Sequence, residues 1–335
     1  MNTPKFTLNL ATGTLSEDDA KRYISRFGWF SFAFCLALSL AQNVLAMTVR
    51  FFAPSLLTSS LFLQLFSMVP IYVTAFPLAY FMLRSLPSVT PIGEKLRARE
   101  FLCAVCICEA LMLVGNYISA ALLSVFERAM GGTSLQNPVE TSVESQPMWM
   151  TVAFSVILAP ILEELFFRGV ICKKLLALGE GYAIVLSAAF FALCHGNFFQ
   201  LFYAFIIGCF FALIYVKTGK LIYSTLLHVI VNFLGTVVVT WVLELSDYDS
   251  LMSEGFAAVS ENLISVAVLL LYETFIFGIS VFGLVVLVKN RKKITLDAGL
   301  LPPPKGRAVQ CVLLNGGVAA AIAVFAFSLL GSLLM

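Results

Sequence analysis

Two adjacent glutamates and an arginine stand inside a long apolar stretch in the middle of the chain. The stretch runs from Trp149 to Val170, and its only charged residues are Glu163, Glu164 and Arg168. A charged side chain near the centre of a bilayer costs at least ~2.5–3.5 kcal/mol on insertion scales, so charges placed there indicate a functional site. Carboxylates of this kind can act as general bases in catalysis.

The spacing of the three charges on a helix suggests different roles for the two glutamates. Glu164 and Arg168 are four residues apart with the acid first, which is the favourable order for an ion pair. Glu163 lies about 100° further round the helix and has no such local partner. The spacing therefore predicts that Arg168 holds Glu164, and that Glu163 is available for chemistry with these two residues in support.

The chain contains two histidines, and both fall in apolar segments that follow the glutamate pair. The pattern F-x-x-x-H ends at His195, with an aromatic ring one helical turn before the imidazole. The pattern H-x-x-x-N joins His228 to Asn232 and places an imidazole and a carboxamide on one helix face. Counted along ideal helices, a shared site near mid-membrane that opens towards the cytosol is geometrically feasible.

Together these groups have the chemistry of a hydrolase. A carboxylate can take a proton from water while an imidazole helps to hold that water. A second imidazole and an amide NH₂ can donate to the oxyanion that forms when a carbonyl is attacked. The alternative is a zinc ion bound by Glu163, His195 and His228 with one open position. Because the zincin signature H-E-x-x-H is missing from the sequence, we expect a metal-free glutamate mechanism that requires no cofactor.

The order E-E-x-x-x-R, F-x-x-x-H, H-x-x-x-N resembles the CAAX-protease and bacteriocin-processing family of intramembrane endopeptidases. This family is also called Abi and includes the type II CAAX prenyl endopeptidases. The three motifs cover about residues 149–243. The resemblance implies a core helical bundle in which Glu163 and His195 activate water, while His228 and Asn232 stabilise the oxyanion.

The resemblance also implies a class of substrate. It points to a membrane-associated peptide or protein: a prenylated CAAX tail, or a bacteriocin, signalling or leader peptide. Older descriptions of the family assume a metal, so the resemblance leaves the zinc alternative open.

Composition places the chain in a membrane. Hydrophobic residues make up 60% of the chain and charged residues 12%, and the mean hydropathy is +0.95. A soluble domain carries about 25% charged residues, so we expect an all-α, multi-pass membrane protein. The net charge is only +2, and no basic cluster is interleaved with aromatic residues, so no nucleic-acid partner is expected.

Nine apolar runs predict about eight or nine transmembrane helices around a core bundle that holds the site. The fifth and sixth runs are short and nearly continuous. The chain divides into a cytosolic lead-in with an interfacial helix at 1–27, N-terminal helices at 28–148, catalytic core helices at 149–243, and C-terminal helices at 244–335. The runs lie at 28–49, 59–83, 101–126, 149–170, 182–197, 198–216, 221–243, 262–288 and 309–334.

Basic residues cluster in alternate loops and predict the orientation. Under the positive-inside rule the N-terminus is cytosolic and the C-terminus lies outside. The eight cysteines form no disulfide framework and no targeting signal is evident, which favours a bacterial cytoplasmic membrane. The cytosolic basic residues are Lys5, Lys21, Arg22, Arg26, Arg84, Lys95, Arg97, Arg99, Lys173, Lys174, Lys217, Lys220, Lys289, Arg291, Lys292, Lys293, Lys305 and Arg307.

Two other classes of function use similar residues. A non-proteolytic immunity or scaffold protein of the same fold would bind peptides without cutting them. A proton-coupled transporter would use buried Glu and His as a relay, although no internal repeat of the kind common in transporters is visible. Glu109, Asn116 and Glu273, in other spans, fit interhelical hydrogen bonding or the lining of a cavity.

Overall fold

Helices make up most of the structure, which is a computed structural model. It describes residues 6, 8–9, 12–132, 134–254, 263–331 and 333, without the side chains of 249, 251 and 254. Within this part the strand content is one short antiparallel hairpin, β1 (Leu8–Asn9) with β2 (Thr14–Leu15). The predicted all-α polytopic fold is confirmed. The helices are α1 Glu17–Phe52, α2 Ser60–Leu83, α3 Ala98–Ala129, α4 Pro138–Glu144, α5 Met148–Leu175, α6 Glu180–Cys194, α7 Phe198–Thr218, α8 Leu221–Leu245, α9 Tyr248–Glu254, α10 Leu263–Lys293, α11 Ala308–Leu313 and α12 Gly316–Gly331.

Every predicted apolar run corresponds to a helix, but fewer helices reach full membrane length. In the part of the chain that the structure describes, seven are long and apolar enough to cross a membrane. Two more, α6 and α12, are apolar but have only 15 and 16 residues, below the ~20 of an ideal span. The last predicted run is interrupted near Asn315, whose side-chain oxygen accepts a hydrogen bond from Val318 N at 2.8 Å, so α11 and α12 are separate helices.

The first helix differs from the expected arrangement because residues 17–27 form its first turns. Ser16 caps α1 by accepting a hydrogen bond from Asp19 N at 3.1 Å, as the sequence predicts. The hydroxyl of Tyr23 donates to Lys174 O at 2.7 Å. This segment packs against the end of α5, which explains why α1 continues without a break where a separate interfacial helix was expected.

In the described part of the chain, the segments that carry the predicted cytosolic basic residues meet at one end of the bundle, here called the basic end; Lys5 lies outside the described residues. Val89 N donates to Lys173 O at 2.8 Å, and Leu301 N donates to Ala177 O at 2.7 Å. Lys217 of α7 forms an ion pair with Glu180 at the start of α6. The connections 84–97, 173–179, 219–220 and 294–307 therefore hold the helix ends together on this side.

Three other connections lie at the opposite end: the 53–59 segment after α1, the described residues of the 130–147 segment that contains α4, and the 195–197 turn between α6 and α7. Side chains of 60–67, 130–146 and 197–199 line one cavity there, together with Leu333. The helices α4 and α9 lie in loops for which the sequence predicted no regular structure.

Close helix packing fixes α6 against α7 and α3 against α7. At Gly208 an added Cβ would lie 3.0 Å from the Phe191 ring and 3.3 Å from the Ala188 side chain, so α6 and α7 approach closely there. At Gly115 an added Cβ would overlap the backbone of Tyr203. Small residues permit such contacts between membrane helices, and these contacts position the elements that carry the site.

We expect Gly317→Ala to destabilise the protein and Gly316→Ala to leave it unchanged. A Cβ at Gly317 would overlap the backbone oxygen of Ser25 in α1, whereas nothing lies within 4 Å of a Cβ at Gly316. Overpacking of this kind costs about 1–3 kcal/mol. Thermal unfolding in detergent should show a lower midpoint for Gly317→Ala alone; equal midpoints would contradict the α1–α12 contact.

Candidate active site

The helix that carries both glutamates changes its winding on either side of them. Residues Ala159–Phe166 of α5 are α-helical, and they lie between π-helical stretches at Thr151–Leu158 and Phe167–Cys172. In α8 another π-helical stretch, Phe233–Val238, begins directly after Asn232. Such stretches are rare and frequently occur at functional sites.

Glu164 and Arg168 form the predicted ion pair, and both are completely buried. The Arg168 Nη1 atom lies 3.1 Å from Glu164 Oε1, and each side chain is 0% exposed. Two charges without water contact are stable only when other groups supply compensating interactions. The surroundings of the pair therefore decide whether the site can form.

Three neighbours surround the guanidinium of Arg168. Its Nη2 donates to Gly208 O at 3.0 Å. The rings of Phe191 and Phe211 lie 4.8 Å and 5.6 Å from its Cζ atom, within the range in which a cation is attracted to an aromatic face. The contacts of Arg168 therefore hold α6 and α7 against α5.

His228 of α8 lies between the two glutamates. Its Nδ1 is 3.3 Å from Glu164 Oε1, and its Nε2 is 3.6 Å from Glu163 Oε2. A carboxylate accepts, so Nδ1 carries the proton that points to Glu164. The Nε2 atom can then donate to a substrate oxygen only when the ring carries both protons.

Glu163 is the accessible member of the glutamate pair. Its side chain is 22% exposed, against 0% for Glu164. Among the described residues it has no hydrogen bond, and 3.6 Å to His228 is longer than a direct one. Glu163 also lies within electrostatic range of Tyr72 and Tyr203, on α2 and α7. It therefore combines partial exposure with an unengaged carboxylate.

His195 caps the C-terminus of α6, where its ring is held in one tautomer. Its Nδ1 is 2.9 Å from Phe191 O; a carbonyl can only accept, so Nδ1 carries the proton. In the neutral ring Nε2 then has a free lone pair. The Phe191 ring contacts both imidazoles, with centroids 4.8 Å from His195 and 5.7 Å from His228.

Asn232 lies one helical turn beyond His228 and connects α8 to α5. Its Nδ2 donates to Ser155 O at 2.9 Å, inside the first π-helical stretch of α5. An amide NH₂ carries two protons, so one N–H is used here and the other can serve a ligand. Asn232 thus has a structural contact in addition to the predicted catalytic one.

One comparison with known proteins finds a match that spans these residues. Residues 145–234 match the family described as Type II CAAX prenyl endopeptidase Rce1-like. The resemblance drawn from the three motifs is confirmed over this segment. All six site residues named from the sequence lie within it. No curated protein and no solved structure matches the chain.

The structure brings most of the predicted site residues into one cluster. Glu163, Glu164, Arg168 and His228 are joined by the contacts given above. His195 reaches this group through the Phe191 ring, and Asn232 follows His228 on the same helix.

The donor set does not fit the zinc alternative. In the described part of the chain no three His, Cys, Asp or Glu side chains are arranged to hold a metal ion. The metal-free mechanism itself stays a prediction.

Several contacts of the site could not be read from the sequence. Gly208 and Ser155 act through backbone carbonyls, which carry no sequence signal. The Phe211 ring packs against Arg168 and His228. The sequence could not single it out, because the chain contains 31 phenylalanines. The hydroxyl of Tyr203, inside the apolar helix α7, was a signal visible in the sequence.

Breaking the buried pair should destabilise the protein strongly. Arg168→Met leaves Glu164 as an uncompensated buried charge, for which we expect a loss of about 3–5 kcal/mol. The double variant Glu164→Gln/Arg168→Met removes both charges and should recover most of that loss. Thermal unfolding of wild type, both single variants and the double variant measures the coupling. A double variant as unstable as Arg168→Met would contradict it.

Proposed function

We propose that this protein is an intramembrane endopeptidase. It hydrolyses a peptide bond in a membrane-associated substrate, either a prenylated tail or a leader-type peptide, by means of water activated by a glutamate. The observation that carries the proposal is the contrast between the two glutamates: one is buried and held by Arg168, and the adjacent one is partly exposed, 3.6 Å from the imidazole of His228. The matched family is a peptidase family, which supports the same general activity.

In the proposed reaction Glu163, with His195 Nε2 as a second acceptor, takes a proton from water, and the resulting hydroxide attacks the carbonyl carbon of the scissile bond. The oxyanion accepts hydrogen bonds from doubly protonated His228 and from the second N–H of Asn232. The C–N bond then breaks, and the protonated Glu163 gives its proton to the departing amine. The products are a carboxylic acid and an amine, and the acid passes its proton to the amine or to solvent.

The supporting residues act through His228. Glu164 accepts from Nδ1 and fixes the ring so that Nε2 faces Glu163. Arg168 in turn holds Glu164. A base and its orienting partner arranged in series are a recurring feature of hydrolytic sites, in which geometry and roles, rather than order in the chain, define the site.

Glu163→Gln should abolish peptide cleavage while leaving the protein folded. The amide keeps the shape of the side chain but cannot take a proton, and loss of a general base lowers rates by about 10²–10⁴-fold. Cleavage of quenched peptides, including prenylated CAAX peptides, by purified protein in detergent is the measurement.

Glu273→Gln is the matched control for this prediction. It makes the same chemical change on an exposed face of α10 and should retain wild-type cleavage. Equal activity in Glu163→Gln and wild type would contradict the glutamate mechanism. Wild type that cleaves no peptide, while binding it, would favour the peptide-binding scaffold.

A strong chelator should leave cleavage unchanged. The described site presents one partly exposed carboxylate, and each imidazole directs one ring nitrogen to a protein oxygen, which suits direct proton transfer. Activity with and without 1,10-phenanthroline tests this, followed by addition of zinc. Loss of activity that zinc restores would show that a metal replaces the proposed proton transfer.

A further inference from the structure

The opposite end of the bundle contains a cavity of about 910 Å³. This volume falls within the ~300–1,000 Å³ typical of ligand sites. Its walls come from the start of α2, the 130–146 segment, the turn before α7 and the end of the chain. The lining residues are Ser60, Leu63, Gln64, Ser67, Met130, Ser134, Leu135, Gln136, Pro138, Thr141, Ser142, Ser145, Gln146, Asn197, Phe199 and Leu333.

The lining mixes polar and apolar residues and carries no charge. Its polar members bear only hydroxyl and carboxamide groups, and the others are apolar. Hydroxyls and amides both donate and accept, as peptide groups do. A charged ligand would lose its hydration here without gaining an opposite charge. The chemistry therefore suits a neutral stretch of polypeptide.

Part of this polar surface is fixed and part is available. Glu127 accepts a hydrogen bond from Leu135 N at 2.9 Å, and Gln146 donates to Thr151 at 3.2 Å, so the wall is held in place. In the described part of the chain, the side-chain amides of Gln64 and Gln136 have no hydrogen-bond partner. These two amides can pair with the backbone of a bound peptide.

The cavity adjoins the catalytic cluster. Asn197 lines it, and its Nδ2 donates to His195 O at 2.9 Å. A peptide bound in the cavity therefore lies next to the turn that carries His195.

The charge distribution assigns this end to the non-cytosolic side. Apart from Arg50, Arg128 and Arg168, the Lys and Arg residues of the described part of the chain belong to the basic end. The positive-inside rule places that end in the cytosol. The cavity at the opposite end then opens away from the cytosol.

We propose that this cavity is the recognition site for an uncharged, extended segment of the substrate, next to the turn that carries His195, on the non-cytosolic side of the membrane. The proposal rests on the proposed endopeptidase function and narrows its substrates. It favours an exported or membrane-spanning peptide over a prenylated tail that stays in the cytosol.

Peptide binding to the Glu163→Gln protein tests recognition without requiring cleavage. The probe is a fluorescent, blocked octapeptide of Ala, Ser, Gln and Leu, compared with the same peptide in which two Lys replace two Ser. We expect about tenfold tighter binding of the neutral peptide, because the lining offers no partner for an ammonium group. Equal or tighter binding of the Lys peptide would overturn the proposal.

A bulky substitution identifies the site of binding. In the same inactive background, Ser142→Trp should weaken binding of the neutral peptide about tenfold by filling the cavity. Ser55→Trp, an exposed position at the same end outside the lining, should stay within about twofold, as surface changes usually do. Equal effects of the two substitutions would overturn the assignment.

Cysteine labelling determines the side of the membrane. In intact cells, a membrane-impermeant maleimide should label Ser142→Cys above the wild-type background, and the neutral peptide should protect it. Ser88→Cys, exposed at the basic end, should be labelled only after permeabilisation. Labelling of Ser142→Cys only after permeabilisation would overturn the inferred side. Protection without any cleavage by wild type would retain recognition and reject the protease function.

Discussion

The structure depends on a buried ion pair, Glu164 with Arg168, neither of which has any contact with solvent. Removing two charges from water costs several kcal/mol per ion, and attraction between them is not enough to offset it. The guanidinium therefore needs further partners, which come from the Gly208 carbonyl and the Phe191 ring, while His228 supplies one for the carboxylate. Because these partners belong to three other helices, satisfying one pair of charges fixes the relative positions of α5, α6, α7 and α8.

The same constraint gives the two glutamates different exposure. Helical rotation by about 100° per residue takes Glu163 out of the buried pair, and His228 bridges from one glutamate to the other. In the proposed mechanism, the buried carboxylate stays charged and its partly exposed neighbour exchanges protons. The buried pair then holds the geometry of the site while Glu163 changes protonation.

Sequence reasoning succeeded where local spacing determines contact. Four-residue spacing predicted the Glu164–Arg168 pair, and apolar runs located the helices. It failed where long-range packing decides. The turns at 17–27 extend α1 because Tyr23 bonds to the end of α5, and Asn315 divides the last run. The carbonyl acceptors of the site and its π-helical stretches arise from tertiary fit and leave no pattern in composition. The cavity at the end opposite the basic end is likewise lined by loops, whose packing the sequence does not specify.

Phe191 places one aromatic ring against three functional groups: the guanidinium of Arg168 at 4.8 Å and the imidazoles of His195 and His228. Groups that share a contact do not contribute independently to stability. Movement of this ring to fit a change at any one of the three alters the packing at the other two. The three polar residues therefore form one thermodynamic unit, and the free-energy effects of substituting them should combine non-additively even though no two of the three share a hydrogen bond.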